Sequence, residues 1–418
     1  MLDIKFIREN RALIERAIKN KKVKIDLDAL YKLDDSVREL RATDEALRAE
    51  RNKVAKLGKS GAETGKKIKD KLAKLEPKLN ESTEKLKELL MFLPNPPAKD
   101  VPVGKDESEN KVLRKVPGIK CKVGDKEIKD HHTLGKNLDI IDTEQAGKVA
   151  GSRFCYLKNE AVRLQFALIN WIMEILLKEN FTLIIPPVVE KFSVAQGTGY
   201  FEALSDDAYH LANEDAILVG TSEQSVVPYE MDKILNENDL PKRYLSYSTC
   251  FRREAGSYGK DVAGIMRQHQ FDKLEIVSFV RPEDSDKEHD YLLSLEEKIM
   301  KELEIPYQVI KMCTGDLGLP AVRKYDIEAW MPSQKKYRET HSVSSCTDFQ
   351  ARRLNIKYRH KDGQVEFVHT LNGTASAMGR MIVAIMENYQ EPDGSIVVPK
   401  VLQKYMGISK ITNKNCLE

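Results

Sequence analysis

The spacing of apolar side chains along the first 90 residues predicts helices. Apolar residues recur at helical intervals through residues 1–20, which indicates an amphipathic helix, and this face holds Ile4, Ile7, Leu13, Ile14 and Ile18. Farther along, apolar residues recur every seven positions on both sides of a glycine-rich run, GKSGAETG (58–65). Before the run these are Leu33, Leu40, Leu47 and Val54, with Leu30 and Val37 on the second seam. After it they are Ile68, Leu75 and Leu89, interleaved with Leu72, Leu79 and Leu86.

Two heptad-patterned helices around a glycine-rich turn predict an antiparallel coiled-coil hairpin over about 28–92. Asp44 and Arg51 interrupt one seam, and Pro77 should kink the second helix. The run LPNPP (93–97) ends that helix, because proline and the residue before it disfavour helix. We therefore expect an N-terminal domain of residues 1–98 and a second domain of residues 99–418.

Beyond the prolines, the chain alternates short β-rich runs with helical segments. The β-rich runs are FTLIIPPVV (181–189), AILVG (216–220), KLEIVSF (273–279), YQVIKM (307–312) and VEFVHTL (365–371). Helical patterns cover residues 160–179 and 286–304. This mixed order predicts one large α+β domain around an antiparallel sheet.

Composition excludes several classes of protein. With 41% hydrophobic residues among 418, the chain has too many core-forming side chains to be disordered. Its most apolar stretch, 161–177, is interrupted by Arg163, Asn170 and Glu174, so it is no membrane span. The start, MLDIKFIREN, has no apolar segment of a secretory signal. The six cysteines lie far apart without a CxxC motif, which favours reduced thiols and a cytoplasmic protein.

The net charge of +3 suggests at first that there is no nucleic-acid partner. Its distribution changes that conclusion. Residues 1–90 hold 24 Lys and Arg against 17 Asp and Glu, whereas the rest of the chain holds 44 against 48. The net charge of the whole chain therefore combines a basic N-terminal region, which is suited to binding phosphates, with a mildly acidic remainder.

Some motifs are ruled out by their spacing. GKS (58–60) and GAETGK lack the glycine spacing of a P-loop, and GTG (197–199) does not continue as GxGxxG because Glu202 takes the third glycine position. His341 and Cys346 lack further metal ligands at suitable spacing, so ordinary polar roles are favoured.

The segment 244–279 predicts a strand, a glycine-rich loop and a second strand. Arg252 and Arg253 end the first strand, where a guanidinium can hold a phosphate bidentately. Phe271 and Glu275 are four apart on the second strand and share a face, where an aromatic ring could stack on a base. A surface hairpin with solvated charges is the alternative. The loop carries Gly256, Gly259, Lys260, Gly264 and Arg267.

A second polar cluster lies in TLNGTASAMGRMIVAIMENY (370–389). We expect a strand that ends at Asn372-Gly373, followed by a helix whose first turns are rich in small residues. Arg380 would lie in this helix, either pointing at a polyphosphate or at the edge of a buried helix.

These motifs together resemble a known family. FRREAG…RQHQF resembles motif 2 of class II aminoacyl-tRNA synthetases, NGTASAMGR resembles motif 3, and helix 160–179 with FTLIIPP resembles motif 1, with Pro187 as its proline. More narrowly, the chain resembles the bacterial-type seryl-tRNA synthetase family nearly end to end. The further matching stretches are MLDIKFIREN, VPVGKDESEN (101–110), TSEQ (221–224), TGDLG (314–318), YDIEAW (325–330) and DFQARR (348–353).

The resemblance implies a class II antiparallel catalytic domain with a tRNA-binding N-terminal coiled-coil arm. The implied reaction converts serine and ATP to seryl-adenylate and pyrophosphate, and then transfers serine to the 3′-terminal ribose of serine tRNA, and of selenocysteine tRNA where present. It further implies Mg²⁺ but no zinc, a homodimer through motif 1, and no membrane partner.

The resemblance also implies an ATP site. Arg252 would grip the α-phosphate and the substrate carboxylate, while Phe271 and Arg380 would cover the two faces of the adenine. Glu254 would contact the adenine edge. Glu339, with Ser342, would hold Mg²⁺ between the phosphates, and catalysis would rest on Arg252, Glu339 and Arg380. The full implied ATP site is Arg252, Arg253, Glu254, Gln268, Phe271, Glu339, Thr340, His341, Ser342 and Arg380.

The implied serine site consists of Thr221, Ser222, Glu223, Glu275, Asn372 and Thr374. Glu275 would pair with the ammonium group, and Asn372 and Thr374 would serve the hydroxyl group. Such a pocket rejects alanine, because its buried polar groups would be left unpaired.

Three positions depart from the family pattern. His341 replaces a common serine, and Ser345 stands where a cysteine or similar residue is typical. Thr374 occupies a place often taken by serine, and its extra methyl group should tighten the pocket.

Three other classes of protein are alternatives to this enzyme. A catalytically silent, tRNA-binding paralogue would be favoured by loss of Arg252, Glu275, Glu339 or Arg380, and all four are present. A purely structural coiled-coil protein does not explain about 320 further residues with polar motifs. A relative that aminoacylates carrier proteins would lack the long arm.

Overall fold

The computed structural model describes residues 1–124, 127–200, 205–255 and 264–413. The chain divides into two compact units, Met1–Pro96 and Pro97–Glu418. Across the described ranges, no helix is both long and apolar enough to cross a membrane.

The first unit is helical. Its helices are α1 (Ile4–Glu9), α2 (Arg11–Asn20), α3 (Leu27–Ala55) and α4 (Ala62–Met91), with a 3₁₀ turn at Gly58–Gly61. The single helix predicted over 1–20 is wrong, because the backbone leaves helical geometry at Asn10 (φ −120°). There the Asn10 side-chain amide donates to the Phe6 carbonyl at 3.0 Å, a local bond that competes with helix continuation.

Helices α3 and α4 form the predicted antiparallel hairpin. Leu30, Val37, Ile68 and Leu72 are buried in its seam, as the heptad pattern indicates. Helix α4 continues through Pro77, and the expected kink stays a prediction.

Where Asp44 interrupts the apolar seam, an ionic contact replaces it. Arg48 Nε donates to Asp44 Oδ2 at 2.6 Å, and Arg48 Nη2 donates to Glu76 Oε1 across the hairpin at 2.8 Å. Because Arg48 and Glu76 belong to different helices, this contact helps to fix the register between α3 and α4.

The second unit is built on an eight-stranded sheet in the order β1-β11-β12-β13-β16-β10-β9-β4. Its neighbouring strands are antiparallel except for β4 and β9, which confirms the expected α+β class. Its strands are β1 (Lys111–Val116), β4 (Thr182–Ile184), β9 (Lys242–Phe251), β10 (Gln270–Val280), β11 (Tyr307–Lys311), β12 (Arg323–Met331), β13 (Lys336–Thr347) and β16 (His369–Ala377).

Smaller sheets and helices surround this sheet. The remaining strands are β2 (Ile141–Asp142), β3 (Tyr156–Leu157), β5 (Val189–Lys191), β6 (Tyr209–His210), β7 (Ala216–Leu218), β8 (Ile234–Asn236), β14 (Lys357–Arg359), β15 (Val365–Phe367), β17 (Ile396–Val397) and β18 (Lys410–Ile411). The helices are α5 (His131–Asn137), α6 (Thr143–Val149), α7 (Asn159–Lys178), α8 (Phe192–Ala195), α9 (Glu223–Val226), α10 (Ser285–Glu302), α11 (Phe349–Leu354), α12 (Met378–Asn388) and α13 (Gln403–Met406). Helices α7, α10 and α12 pack with the large sheet in one apolar core.

The β-rich run FTLIIPPVV (181–189) holds one strand and the start of another: β4 ends at Ile184 and β5 begins at Val189, since prolines cannot donate to a sheet. One local prediction is corrected. The strand expected to end at Asn372-Gly373 continues to Ala377. The small residues that follow are strand because they pair with β10, in a register that runs to Ala377 opposite Lys273, and this pairing overrides their weak local preference.

Candidate active site

The hairpin of β9 and β10 supplies one wall of the site. Arg252 follows directly after β9, which pairs with β10 in register from Phe251–Gln270 to Lys242–Phe279. Side chains alternate along a strand, so Phe271, Lys273 and Glu275 share a face of β10. The structure places all three on the walls of two adjoining cavities.

Two neighbouring strands and a helix complete the site. Strand β13 contributes Glu339, Thr340 and Ser342, and strand β16 contributes Asn372 and Thr374. Arg380 lies in the first turn of α12. These elements are far apart in sequence but adjacent in the sheet order, which is why their polar side chains meet.

The first cavity, called here the Phe271 cavity, is lined by Phe271, Ile265, Met266, Gln268, Gly379 and Arg380, among others. The second, called the Glu275 cavity, is lined by Glu275, Tyr200, Thr221, Glu223, Lys324 and Asn372, among others. Their volumes are about 90 and about 390 Å³, and both continue into open solvent. Both are lined by Arg252, Glu254, Arg267, Lys273, Glu339, Ser342 and Arg380.

Arg380 and Glu339 form an ion pair at the junction of the cavities. Arg380 Nη1 donates to Glu339 Oε2 and to the Glu339 carbonyl, at 3.1 Å in each case. Burial alone would raise the pKa of Glu339, but the positive charges of Arg380 and Lys324 outweigh it and lower this pKa to about 2. Glu339 is therefore ionised at neutral pH.

Arg252 lies between the hairpin and the TSE segment. Its Nε donates to the Gly220 carbonyl at 3.0 Å, and its guanidinium lies 5.3 Å from the centre of the Phe271 ring. Glu254, which has a left-handed backbone (φ 52°), forms an ion pair with Arg267. The cationic edge of the cavities is thus held in place by a backbone carbonyl, a ring and a carboxylate.

Glu223 is buried in the wall of the Glu275 cavity. Its Oε1 accepts hydrogen bonds from Gln350 Nε2 and from Asn372 Nδ2, both at 2.8 Å. Burial and the nearby Glu275 raise the pKa of Glu223 to about 8. Glu223 is therefore mostly neutral at pH 7, and the cavity does not carry two carboxylate charges side by side.

Glu275 is paired with a cation. Lys273 Nζ lies 2.5 Å from Glu275 Oε2 and donates to Thr221 Oγ1 at 2.7 Å. Thr374, directly opposite Glu275 on β16, donates to the same Glu275 oxygen at 3.3 Å. Burial raises the pKa of Glu275, while Lys273 and Arg252 favour its charged form.

Three predicted site residues do not line either cavity. Ser222 is buried, and its hydroxyl lies 2.6 Å from that of Ser246. His341 lies between two lining residues of β13 and therefore points to the opposite face, where burial lowers its pKa to about 4. Arg253 donates from its backbone to the Asp207 carbonyl at 2.8 Å. The predicted loop residues Gly256, Gly259 and Lys260 lie outside the described ranges.

Sequence reasoning missed several residues that the structure brings into or behind the cavities, among them Tyr200, Lys273, Lys324 and Gln350. Strand alternation could have identified Lys273, since it lies two positions from both Phe271 and Glu275. No local sequence pattern identifies Tyr200, Lys324 or Gln350 as a site residue.

The described ranges hold no group of three His, Cys, Asp or Glu side chains that could bind a metal ion by themselves. Glu339 and Ser342 nevertheless line both cavities. One ionised carboxylate with a hydroxyl suits Mg²⁺ when phosphates and water provide its other ligands.

Two family models match the chain. Residues 1–97 match the seryl-tRNA synthetase N-terminal domain, and residues 208–389 match the tRNA synthetase class II core domain (G, H, P, S and T). A serine--tRNA ligase of Dictyoglomus turgidum is 44% identical over 427 residues, covering 99% of this chain and all of the relative. The chain belongs to the seryl-tRNA synthetase family. Membership makes it an aminoacyl-tRNA ligase and confirms the resemblance found in the sequence.

Solved structures agree with this assignment. The seryl-tRNA synthetase of Pyrococcus horikoshii complexed with ATP is 40% identical, with a TM-score of 0.90, and the match covers 99% of this chain and 100% of that one. The cytoplasmic enzyme of Naegleria fowleri, in complex with AMP, is 31% identical with a TM-score of 0.87, and 99% of each chain is covered. The class II fold is therefore confirmed over nearly the whole length.

Proposed function

We propose that this enzyme activates serine with ATP and transfers the serine to the 3′-terminal ribose of serine tRNA. The observation that carries the proposal is the junction of the two cavities, where Arg252, Glu339 and Arg380 line both. A nucleotide in one cavity and an amino acid in the other would meet at these charges. The family membership supports the same reaction.

ATP is assigned to the Phe271 cavity. Phe271 offers a face for stacking the adenine, and Arg380, which lines the same cavity, would cover the other face and reach the phosphates. Glu254 and Gln268 offer hydrogen-bonding groups to the base edge. Arg252 would hold the α-phosphate.

Mg²⁺ would be held by Glu339, with Ser342 beside it, and would neutralise charge on the phosphates. The low pKa of Glu339 supports this assignment, since a protonated carboxyl group is a poor ligand. Because Arg380 already contacts Glu339, that carboxylate would also orient the Arg380 guanidinium toward the nucleotide.

Serine is assigned to the Glu275 cavity. Glu275 and Thr221 would hold its ammonium group, while Asn372 and Thr374 serve its hydroxyl. Glu223 is mostly neutral and already accepts from Asn372, so its role is to orient that amide. Alanine would leave these buried polar groups unpaired and is expected to bind poorly.

In the first step, a carboxylate oxygen of serine attacks the α-phosphorus of ATP, and the bond to the bridging oxygen of pyrophosphate breaks. Positioning and charge neutralisation by Arg252 and Arg380 supply the catalysis, so no side-chain nucleophile is needed. In the second step, a hydroxyl group of the terminal tRNA ribose attacks the seryl carbonyl carbon and AMP leaves.

The hairpin of α3 and α4 is proposed to bind the long variable stem of the tRNA. Its net basic composition supports contacts with phosphates, and recognition would rest on shape rather than on base sequence. We place the reaction in the cytoplasm.

A homodimer is proposed through motif 1. Large apolar side chains are exposed on helix α7, on the edge strand β4 and directly after that strand: Phe166 is 52%, Leu183 39% and Ile185 77% exposed in the single chain. A second copy that covered this surface would remove apolar area from water. Sedimentation of a fully active monomer would contradict the dimer.

The deciding experiment is ATP–pyrophosphate exchange with each of several amino acids, followed by charging of serine tRNA. Exchange that depends on serine, and charging that follows it, are expected. Absence of serine-dependent exchange in the folded protein would overturn the proposal, and tRNA binding without exchange would indicate a silent paralogue.

A further inference from the structure

Lys273 lies in the Glu275 cavity as a buried cation. It is 6% exposed and its partner Glu275 is 3% exposed. Its ammonium group contacts Glu275 Oε2 at 2.5 Å and Thr221 Oγ1 at 2.7 Å. An ion pair this well buried is costly to break without replacing one of its partners.

These two contacts are those that the proposed function gives to the ammonium group of serine. Glu275 and Thr221 cannot hold both cations in the same way, because two ammonium groups beside one buried carboxylate repel each other. Thr374 already donates to the same Glu275 oxygen, which leaves still less room. Serine binding therefore requires the Lys273 ammonium to move.

The structure offers one direction for that movement. Lys273 lines the Phe271 cavity as well as the Glu275 cavity, so its flexible side chain already lies at their junction. The proposed reaction brings the serine carboxylate to this junction, because that group must reach the α-phosphate. A displaced Lys273 would find a new anionic partner there.

We propose that the Lys273 ammonium group holds the place of the serine ammonium group in the free enzyme and moves to the substrate carboxylate when serine binds. Lys273 thereby selects ligands that carry both an ammonium group and a carboxylate group. A serine analogue without a carboxylate displaces Lys273 and gives it no new partner, which leaves a buried charge uncompensated. This inference rests on the proposed function of the Glu275 cavity.

The test compares the affinities of serine and serinamide, in which a neutral amide replaces the carboxylate, by isothermal titration calorimetry on the full chain. The variants are Lys273→Met and Lys273→Gln, both of which lack the charge. The matched control is Lys242→Met, which removes a partly buried cation that lines neither cavity and pairs with Glu230 at 2.8 Å rather than with Glu275.

Both Lys273 variants should bind serinamide more tightly than the wild type does, because nothing then has to be displaced. The preference for serine over serinamide should fall by at least about tenfold, or about 1.4 kcal/mol, and Arg252 should provide what remains. The Lys242→Met variant should keep the wild-type preference. An unchanged preference in the Lys273 variants would show that Lys273 stays on Glu275, and would overturn the inference.

A crystal structure of the wild type with serine is a second test that does not depend on whether the variants fold. A Lys273–Glu275 contact that stays at its present length in that complex would also overturn the inference. Serine-dependent exchange distinguishes a failure of the proposed function from a failure of the Lys273 inference. If exchange fails, the proposed function is wrong, whereas exchange with an unmoved Lys273 removes this inference alone.

Discussion

Asn372 donates its side-chain amide to Glu223 Oε1 at 2.8 Å, although the two residues are 149 positions apart. Gln350 donates to the same oxygen at the same distance. Two amides thus orient one buried carboxyl group, whose pKa is raised to about 8 by burial and by Glu275. At pH 7 the carboxyl group of Glu223, in the wall of the Glu275 cavity, is therefore mostly neutral.

This geometry predicts how stability depends on pH. The pKa of Glu223 rises from its ordinary value of 4.5 to about 8 on folding. Between these values the folded protein retains a proton that the unfolded chain releases, so Glu223 lowers stability as pH rises, by at most about 1.4 kcal/mol per pH unit. Glu223→Gln should reduce the fall in melting temperature between about pH 5 and about pH 8, measured by calorimetry on the full chain.

Glu230→Gln is the matched control for this prediction. Glu230 is equally buried, but although burial opposes the change, Lys242 and Tyr244 lower its pKa. The stability that Glu230 contributes is therefore fully present above its ordinary pKa, and it is lost only at lower pH. This variant should keep the wild-type slope between pH 5 and 8, whatever its overall stability. A Glu223→Gln variant with the wild-type slope would show that Glu223 is ionised in the folded protein.

Local patterns explain which parts of the fold could be predicted. The buried seam at Leu30, Val37 and Ile68 follows from a seven-residue repeat that requires only helix geometry. The shared face of Phe271 and Glu275 likewise follows from strand alternation. By contrast, Asn372-Gly373 resembles a strand end in isolation, and only the pairing of the following residues with β10 shows that the strand continues.

The missed site residues depend on tertiary contacts. Gln350 reaches Glu223 from helix α11, 127 positions away, and nothing near Gln350 in the sequence indicates that partner. Lys324 acts on Glu339 because β12 and β13 are neighbours in the sheet. Long-range pairing of this kind is set by the whole fold, so it could not be predicted from either segment alone.

Glu339→Gln should separate ATP chemistry from serine binding. The substitution keeps the size of the side chain but removes the charge that pairs with Arg380 and is proposed to hold Mg²⁺. Exchange activity should fall by about a hundredfold or more, while the affinity for serine measured without ATP changes little. The control is Glu328→Gln on the adjacent strand, which pairs with Glu339 in the sheet but lines neither cavity. Equal losses in both variants would contradict the assigned role.

Thr374→Ser should loosen discrimination against threonine. Thr374 lines the Phe271 cavity, but its hydroxyl donates to Glu275 and lies 3.4 Å from that of Ser342, so its side chain lies beside the proposed serine site. Removing the methyl group of Thr374 should raise threonine-dependent exchange relative to serine by up to about tenfold. Thr370→Ser, on the same strand but bonded to Gln350 outside the cavity lining, should leave the ratio unchanged. If Thr374→Ser discriminates against threonine as well as the wild type does, then the extra methyl group of Thr374 does not tighten the pocket.

Shortening the hairpin should separate the two half-reactions. Deleting residues 45–79, with a short glycine-serine link between the ends, removes the outer parts of α3 and α4, including the Arg48–Glu76 contact. Serine-dependent exchange should persist near the wild-type level, because the residues that line the two cavities all lie at or beyond residue 200. Charging of serine tRNA should fall by at least about a hundredfold through lost phosphate contacts. Retained charging would show that the hairpin does not bind the tRNA.

Gly373 should be intolerant of even a methyl group, because a Cβ atom there would lie 2.6 Å from Glu296 Oε1 and 3.2 Å from two Ile276 carbons. Gly373→Ala should lower the free energy of unfolding by about 1–3 kcal/mol, as overpacking does in a dense core. Gly147→Ala, in an open position, should change it little. If the clash with Glu296 is the cause, adding Glu296→Ala should cost less in the Gly373→Ala background than alone, with a coupling of about 0.5–3 kcal/mol in denaturant titrations. Strictly additive losses would place the cause elsewhere, at Ile276 or in the strand itself.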